Sequence, residues 1–440
     1  MTAVTPRDLA KEIVGRLQGS GFAAFWVGGC VRDFLLGREP QDFDIATDAK
    51  PEQVEKLFHK TIPVGKKFGV IIVVVGGQQF QVATFRAEAD YQDGRRPEKV
   101  VFADAEADAL RRDFTVNGLF YDPLTEQTHD WVGGEKDLRA KIIRTIGAPE
   151  ERFGEDHLRL LRAVRFAAQL NFEIEPKTFA AIQSLAPKIK LISDERIRDE
   201  LLKLFRPPHA GRGLVLLRRS GLLEPILPEL AATVACEQSL DFHPEGSVFN
   251  PICLMLEKMP PDANGLLPWA VLLHDIAKPV TVENDLATGK IHFYGHEKTG
   301  AGMAGNILRR LKFPNKQTDE IVTAVLHHMQ FKDVRLMRKA TLRRMLLRET
   351  FPLELELHKL DCLGAHGDLA HYDFCVAAAE ELKNQPQIIP PLLDGNDLMA
   401  LGIPSGKKIG EVLHEIRERQ LAEDLKTPDE ARAWVKQMLS

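Results

Sequence analysis

The densest chemistry in the chain lies between residues 28 and 44. Gly28 and Gly29 are followed by Arg32, and then Asp42 and Asp44 stand two apart in the run Asp42-Phe43-Asp44. Two glycines between a strand and a helix let backbone N–H groups approach phosphate oxygens, and Arg32 adds a forked cation. Residues two apart in a strand share a face, so Asp42 and Asp44 are expected to present converging carboxylates. Hard oxygen donors of this kind suit Mg²⁺, which takes one or two carboxylates and completes its shell with water and substrate phosphate. A glycine pair or a paired carboxylate alone signals little more than a turn. Their combination within seventeen residues, with an arginine between, is far more specific.

A second constellation is Asp156 with Arg159. Residues three apart share a helix face and can address one base together. A carboxylate accepts from the exocyclic amine of cytosine or adenine, and a guanidinium donates to their ring acceptors, whereas uracil and guanine present a carbonyl where the amine should be. A competing reading pairs Glu155 with Arg159 across one turn of a solvated helix.

The elements that must position these groups follow from periodicity. Up to about Gly147 the pattern is strand-rich: Phe22–Val27 and Phe43–Ala46 read as strands, and Val70–Gly76 with Gln79–Phe85 as a pair joined at Gly76-Gly77. Pro51–His59 reads as a helix between them. From Phe153 onward the apolar spacing becomes helical and stays so almost to the end, with breaks at Pro207-Pro208, Pro260-Pro261 and Pro390-Pro391.

Length and composition bound the rest. The 440 residues, 44% hydrophobic and 28% charged, predict roughly three compact units and exclude disordered or collagen-like chains. No apolar run exceeds six residues, the length of Val70–Val75, and the first twenty residues carry charges where a signal peptide needs an apolar core. A soluble, cytoplasmic protein with no membrane partner is therefore expected. Five cysteines without a C-x-x-C pair predict buried thiols. The net charge of -5 conceals an uneven distribution: residues 301–350 carry eleven Lys or Arg against four acids. Alone, that run reads as a solvated helix face.

Taken in order, these motifs resemble a known family. Gly28-Gly29-Cys30-Val31-Arg32-Asp33-Phe34-Leu35-Leu36-Gly37 with Asp42-Phe43-Asp44 is similar to the signature of class II tRNA nucleotidyltransferases and bacterial poly(A) polymerases, within the polymerase beta superfamily. Arg86 and Asp93-Gly94-Arg95-Arg96-Pro97 resemble the flexible loop, and Arg111 to Asn117 the second head motif. Asp130, Gly133-Gly134 and Asp137-Leu138 resemble the segment closing the head, and Glu155-Asp156-His157-Leu158-Arg159 with Arg162 and Arg165 the base-reading motif.

The resemblance implies an α+β fold, with a mixed-sheet nucleotidyltransferase (polymerase beta-like) head over residues 1–147. A helical neck (148–210), an HD-like helical body (211–370) and a helical tail (371–440), a possible RNA contact, would follow. It implies a template-independent enzyme that adds CMP and AMP from CTP and ATP to the 3′ end of tRNA with Mg²⁺ as cofactor. Poly(A) polymerisation or A-only addition is the alternative, and an HD-type phosphohydrolase the alternative from another class. Asp42 and Asp44 would be catalytic and hold the metal. Gly28, Gly29, Arg32, Arg111, Arg112, Asp113, Asn117, Asp156, Arg159, Arg162 and Arg165 would bind the nucleotide, with Asp93 and Arg96 in the flexible loop. In the HD-like half, His274, Asp275, His296 and His327 match, but Pro251 stands where the first histidine ligand belongs. A proline has no ligating side chain, so that metal site is expected to be impaired or lost, with His274 and Asp275 structural.

Overall fold

A computed structural model of the chain describes residues 4–63, 66–86, 102–238, 246–285, 290–365, 367–384 and 390–439. It divides into two compact units, Met1–Phe205 with Arg212–Pro228, and Arg206–Gly211 with Glu229–Ser440.

The first unit is built on a seven-stranded mixed sheet. In chain order its elements are α1 (Pro6–Gly19), β1 (Ala24–Val27), α2 (Gly29–Leu35), β2 (Asp44–Thr47), α3 (Pro51–Leu57), β3 (Thr61–Ile62), β4 (Val70–Val75), β5 (Gln78–Thr84), α4 (Ala105–Leu110), β6 (Phe120–Asp122) and β7 (Gln127–His129). The strand order is β3-β4-β5-β2-β1-β6-β7, with β2 and β5 parallel and every other pair antiparallel. The expected hairpin is present: Gly76 and Gly77 both adopt positive φ, 59° and 78°, as a two-residue turn of this hand requires, and Val75 pairs with Gln78. Alternation along β4 and β5 buries Ile71, Val73, Phe80 and Val82 against the helices.

Helices then take over: α5 (Gly134–Ala140), α6 (Pro149–Glu155), α7 (Leu158–Leu170), α8 (Pro176–Leu185) and α9 (Asp194–Leu204), with the short strands β8 (Ile142–Ile143) and β9 (Glu173–Ile174) pairing between them. The buried stripe of α7, including Leu161, Val164 and Ala168, packs on α9. The sequence pattern carries one helix through residues 153–168; the structure breaks it at Asp156-His157, where Asp156 is extended with φ −151° and ψ 105°.

The described residues of the second unit are helical apart from the pair Glu283–Asn284 and Ile291–His292. Pro251 is the third residue of helix Phe249–Glu257. It sits in the first turn, where no N–H needs an intrahelical partner, so it leaves the helix intact. Leu393, Leu398, Ile403, Val412, Ile416 and Val435 form a core of their own near the C-terminus. Asp394 and Asp397 form a capping box at the start of the helix Gly395–Ala400. Much of the basic run is spent inside this unit. Arg310 pairs with Glu229, Lys339 and Arg343 with Glu423, Arg344 with Glu418 and Arg348 with Glu354. Among the described residues no helix is long and apolar enough to cross a membrane.

Candidate active site

Every catalytic, metal and nucleotide-binding residue expected between Gly28 and Arg165 borders one cavity of 760 Å³ in the first unit. Asp93 and Arg96 of the flexible loop lie outside the described residues.

The floor of the cavity is the turn from β1 into α2. Gly28 adopts φ 74° and ψ −128°, and a Cβ there would come within 2.9 Å of Arg112 Nη1. Glycine is required twice over, by the backbone angle and by the guanidinium lying across the turn. Asp44 opens β2, whereas Asp42 precedes the strand by two residues in a bend. Asp42 is therefore not a strand residue as the spacing suggested. Both side chains are nevertheless exposed around buried Phe43, and both border the cavity. The cavity wall withdraws water from the Asp44 carboxyl and raises it above its ordinary value. Arg112 offsets this in part, and the neighbouring Asp42 charge raises it further. Two carboxylates that strain against each other in this way, with hard oxygens and open space beside them, fit a divalent cation.

One wall is a chain of polar contacts. Arg32 Nη1 donates to Asn117 Oδ1 at 2.7 Å, and Asn117 Nδ2 donates to Asp113 Oδ1 at 3.1 Å. Asp113 Oδ2 accepts from Arg162 Nε and Nη2 at 2.9 and 2.6 Å. Arg162 leads on to Glu200, whose other oxygen accepts from Arg165 Nε at 2.6 Å. Arg111 and Arg112 follow α4 and both pair with Asp108, which is 1% exposed. The ends of this wall, Arg32 and Arg165, are thus fixed before any ligand arrives.

The pair expected to read the base is positioned differently from the one-helix expectation. Asp156 sits in the break between α6 and α7, where Oδ1 accepts from Leu158 N–H at 3.0 Å. Arg159 is in α7 and pairs with Glu155 across the break, also donating to the Arg152 carbonyl at 2.8 Å. The Glu155–Arg159 pair therefore coexists with Asp156 and Arg159 bordering the same cavity, Asp156 paired with Arg196. Sequence reasoning missed Asp108, Arg152, Arg196 and Glu200 as members of this site. Glu200 and Arg196 lie four apart in α9, and that spacing was the available signal, since the burial of Glu200 comes from packing.

The second unit contains a separate cavity of 960 Å³ bordered by Asp275, His296 and His328. Here the structure sets a cluster of possible donors against the expected impairment of the site. Ligand atoms of Asp275, His296 and His328 lie within 4.8 Å of one another, and His274 Nε2 is 3.3 Å from Asp275. The Nδ1 atoms of His274, His296 and His328 each contact a backbone carbonyl at 2.7–2.8 Å. A carbonyl only accepts, so each Nδ1 carries a proton and each Nε2 is left facing inward. His296 and His328 Nε2 are 3.1 Å apart. Three donors, Asp275, His296 and His328, thus converge with His274 beside Asp275, without any contribution from position 251. The neighbouring His327, expected among them, instead faces Glu354 at 3.5 Å. Burial raises Asp275, but the Lys278 ammonium 2.7 Å away and His274 outweigh it and hold the carboxyl well below its usual range.

Three family models match successive parts of the chain: the poly A polymerase head domain over residues 24–144, the probable RNA and SrmB- binding site of polymerase A over 171–233, and the HD domain over 250–360. A CCA-adding enzyme of Staphylococcus aureus (strain MRSA252) is 46% identical over 200 residues, 45% of this chain and 50% of that protein. One of Lactobacillus helveticus (strain DPC 4571) is 42% identical over 254 residues, 56% of this chain and 63% of that protein. The chain thus spans between half and two thirds of these curated relatives. Among solved structures, the Bacillus stearothermophilus CCA-adding enzyme in complex with CTP is 28% identical with a TM-score of 0.75, covering 100% of this chain and 98% of that one. The Thermotoga maritima CCA-adding enzyme complexed with tRNA shares the fold at 20% identity and a TM-score of 0.55, covering 100% and 97%.

Proposed function

We propose that this chain, which belongs to the family uniting CCA-adding enzymes with bacterial poly(A) polymerases, adds CMP and AMP from CTP and ATP to the 3′ end of tRNA and releases pyrophosphate. The observation that supports this reading is the meeting, in one cavity, of a glycine turn, two acidic side chains and an Asp–Arg pair suited to amino-bearing bases. In this reading the Gly28 turn, Arg32 and Arg112 receive the triphosphate, and Arg111, Asp113 and Asn117 line the sugar and phosphate side. Asp156 accepts from the exocyclic amine of the base while Arg159 donates to its ring, so a protein surface takes the place of a template strand. Asp42 and Asp44 would hold Mg²⁺, which would supply positive charge to offset the negative charge developing as an RNA 3′-hydroxyl attacks the α-phosphate and pyrophosphate leaves. The wall from Arg32 to Glu200 holds the nucleotide in line, and positioning is most of what such a transfer demands. We assign the four-part division at 147, 210 and 370 and a cytoplasmic location to the same reading.

Purified protein incubated with CTP, ATP and tRNA lacking its last three nucleotides tests it. Addition of C, C and A in order is expected. Addition of A alone, with or without CTP, would replace this reading by the A-adding or poly(A) alternative.

A second reading is favoured by one specific observation, the inward Nε2 atoms of His274, His296 and His328 around Asp275. Imidazole and carboxylate donors in this set fit a divalent transition metal, and with it the HD half would hydrolyse phosphoesters. Metal content of the dialysed protein, and phosphodiesterase activity on added Mn²⁺ or Ni²⁺, test this. Absence of both in the wild type, or their persistence in His296→Ala, would remove it.

A further inference from the structure

The Asp156 carboxylate is held by a residue outside the base-reading motif. Its Oδ1 accepts from Leu158 N–H at 3.0 Å and from Arg196 Nη1 at 3.2 Å, while Oδ2 accepts from Arg196 Nη2 at 2.6 Å. A carboxylate offers about four acceptor sites, two on each oxygen. Oδ1 is therefore full, and among the described residues Oδ2 keeps one site. Arg159 is half used in the same way: both hydrogens of Nη1 go to Glu155 and the Arg152 carbonyl, leaving those of Nη2 and Nε without an acceptor among the described residues. Asp156, Arg159 and Arg196 all border the same cavity.

The break between α6 and α7 explains why a second arginine is needed. An aspartate inside a helix would have its direction set by the helix itself. Asp156 lies outside both helices, with extended backbone, so its orientation depends on the groups it bonds. The bidentate Arg196 contact comes from α9, forty residues away, and fixes the plane of the carboxylate as well as its position.

We propose that Arg196 is a positioning residue for base selection: with the Leu158 N–H it leaves Asp156 a single open acceptor site, which a base amine satisfies and a base carbonyl cannot. The inference rests on the nucleotidyl-transfer reading and adds a specificity determinant to it. Uracil would set its O4 against the remaining lone pair, and that mismatch costs selectivity only while the carboxylate cannot turn away. Loss of Arg196 frees it to turn.

Single-turnover addition of CMP and UMP to tRNA lacking its last three nucleotides tests this with the full-length chain. In Arg196→Ala the ratio of kcat/KM for CTP to that for UTP is expected to fall about tenfold or more, with Arg196→Lys intermediate because an ammonium cannot make the fork. In an Asp156→Ala background, Arg196→Ala is expected to change the ratio by less than about twofold, because Arg196 acts through Asp156. A purely structural role would depress CTP and UTP use alike. An unchanged ratio in Arg196→Ala, or a full further drop in the double variant, overturns the proposal. If Arg196→Ala fails to fold, Arg196→Gln carries the same comparison. A wild type that incorporates neither CTP nor ATP refutes the transfer reading itself, and this inference with it.

Discussion

Replacing Asp113 cuts the polar wall of the active site at its most connected link. The side chain accepts from its own neighbour Phe114 N–H at 2.8 Å, from Asn117 at 3.1 Å and twice from Arg162. Alanine would leave Asn117 and Arg162 without that partner in a site where Asp113 is 9% exposed. Breaking a buried ion pair costs about 3–5 kcal/mol. The Arg162 side chain is 32% exposed and has Glu200 3.7 Å away, so water and a second carboxylate take up part of the loss. The expected destabilisation of Asp113→Ala is thus about 2–3 kcal/mol. Asp113→Asn keeps one acceptor oxygen and loses the charge, which sets its cost at about 1–2 kcal/mol. Urea unfolding of the full chain, following the transition of the first unit, measures both. The pH dependence has a definite sign. Burial raises the Asp113 carboxyl, but Arg162 and Asn117 outweigh it and hold it below its ordinary value. Its stabilisation is complete above the unfolded value of about 3.9 and is lost as pH falls through the lowered folded value. The Asp113→Asn deficit should therefore be constant at neutral pH and shrink only below about pH 4. A deficit under about 0.5 kcal/mol for alanine, or one that grows in acid, would refute the reasoning.

Other outcomes follow from the same geometry. Gly134→Ala would place a Cβ 2.3 Å from the Thr115 carbonyl oxygen and 2.9 Å from Leu119 Cδ2, so thermal unfolding should report a loss of about 3 kcal/mol, and a loss below about 1 would contradict this. Lys339 and Arg343 hold the Glu423 carboxyl down at about 2. Its stabilisation is present above the ordinary glutamate range and lost as pH falls toward 2, so a Tm deficit of Glu423→Gln at pH 7 should fade over that interval, and a deficit independent of pH would count against the pairing. Burial and Asp42 raise the Asp44 carboxyl. In the metal-free protein the Asp44 carboxyl should accordingly titrate above 3.8, as carboxyl NMR of wild type against Asp44→Asn would show, and a value at or below 3.8 would contradict this.

The head was legible because its signals are local. Strand alternation, the Gly76-Gly77 turn and the Gly28-Gly29 approach each depend on residues adjacent in sequence, and the structure places them accordingly. The break at Asp156 was not legible, since apolar spacing continues through it and the partner that fills the gap, Arg196, lies forty residues away. The same distance problem hid Glu200, which reads as one more surface acid until α9 packs on α7. The basic run between residues 301 and 350 reads alone as a solvated helix face, and its pairing was hidden because the acids Glu229, Glu418 and Glu423 come from outside the window. Choosing His327 over His328 failed for a finer reason. The helix Asn315–His327 passes into a 3₁₀ segment at that point, and the change of period decides which imidazole turns inward.

The central claim is that Asp42 and Asp44 perform the transfer. Its most direct measurement is the rate of radiolabelled CMP and AMP incorporation into tRNA lacking its last three nucleotides, by wild type, Asp42→Ala and Asp44→Ala, each first checked for an unchanged unfolding transition. The account predicts robust incorporation by the wild type and at least a thousandfold loss in either variant, on the order of 4 kcal/mol of transition-state stabilisation. Undiminished incorporation by a folded Asp42→Ala or Asp44→Ala protein would contradict it.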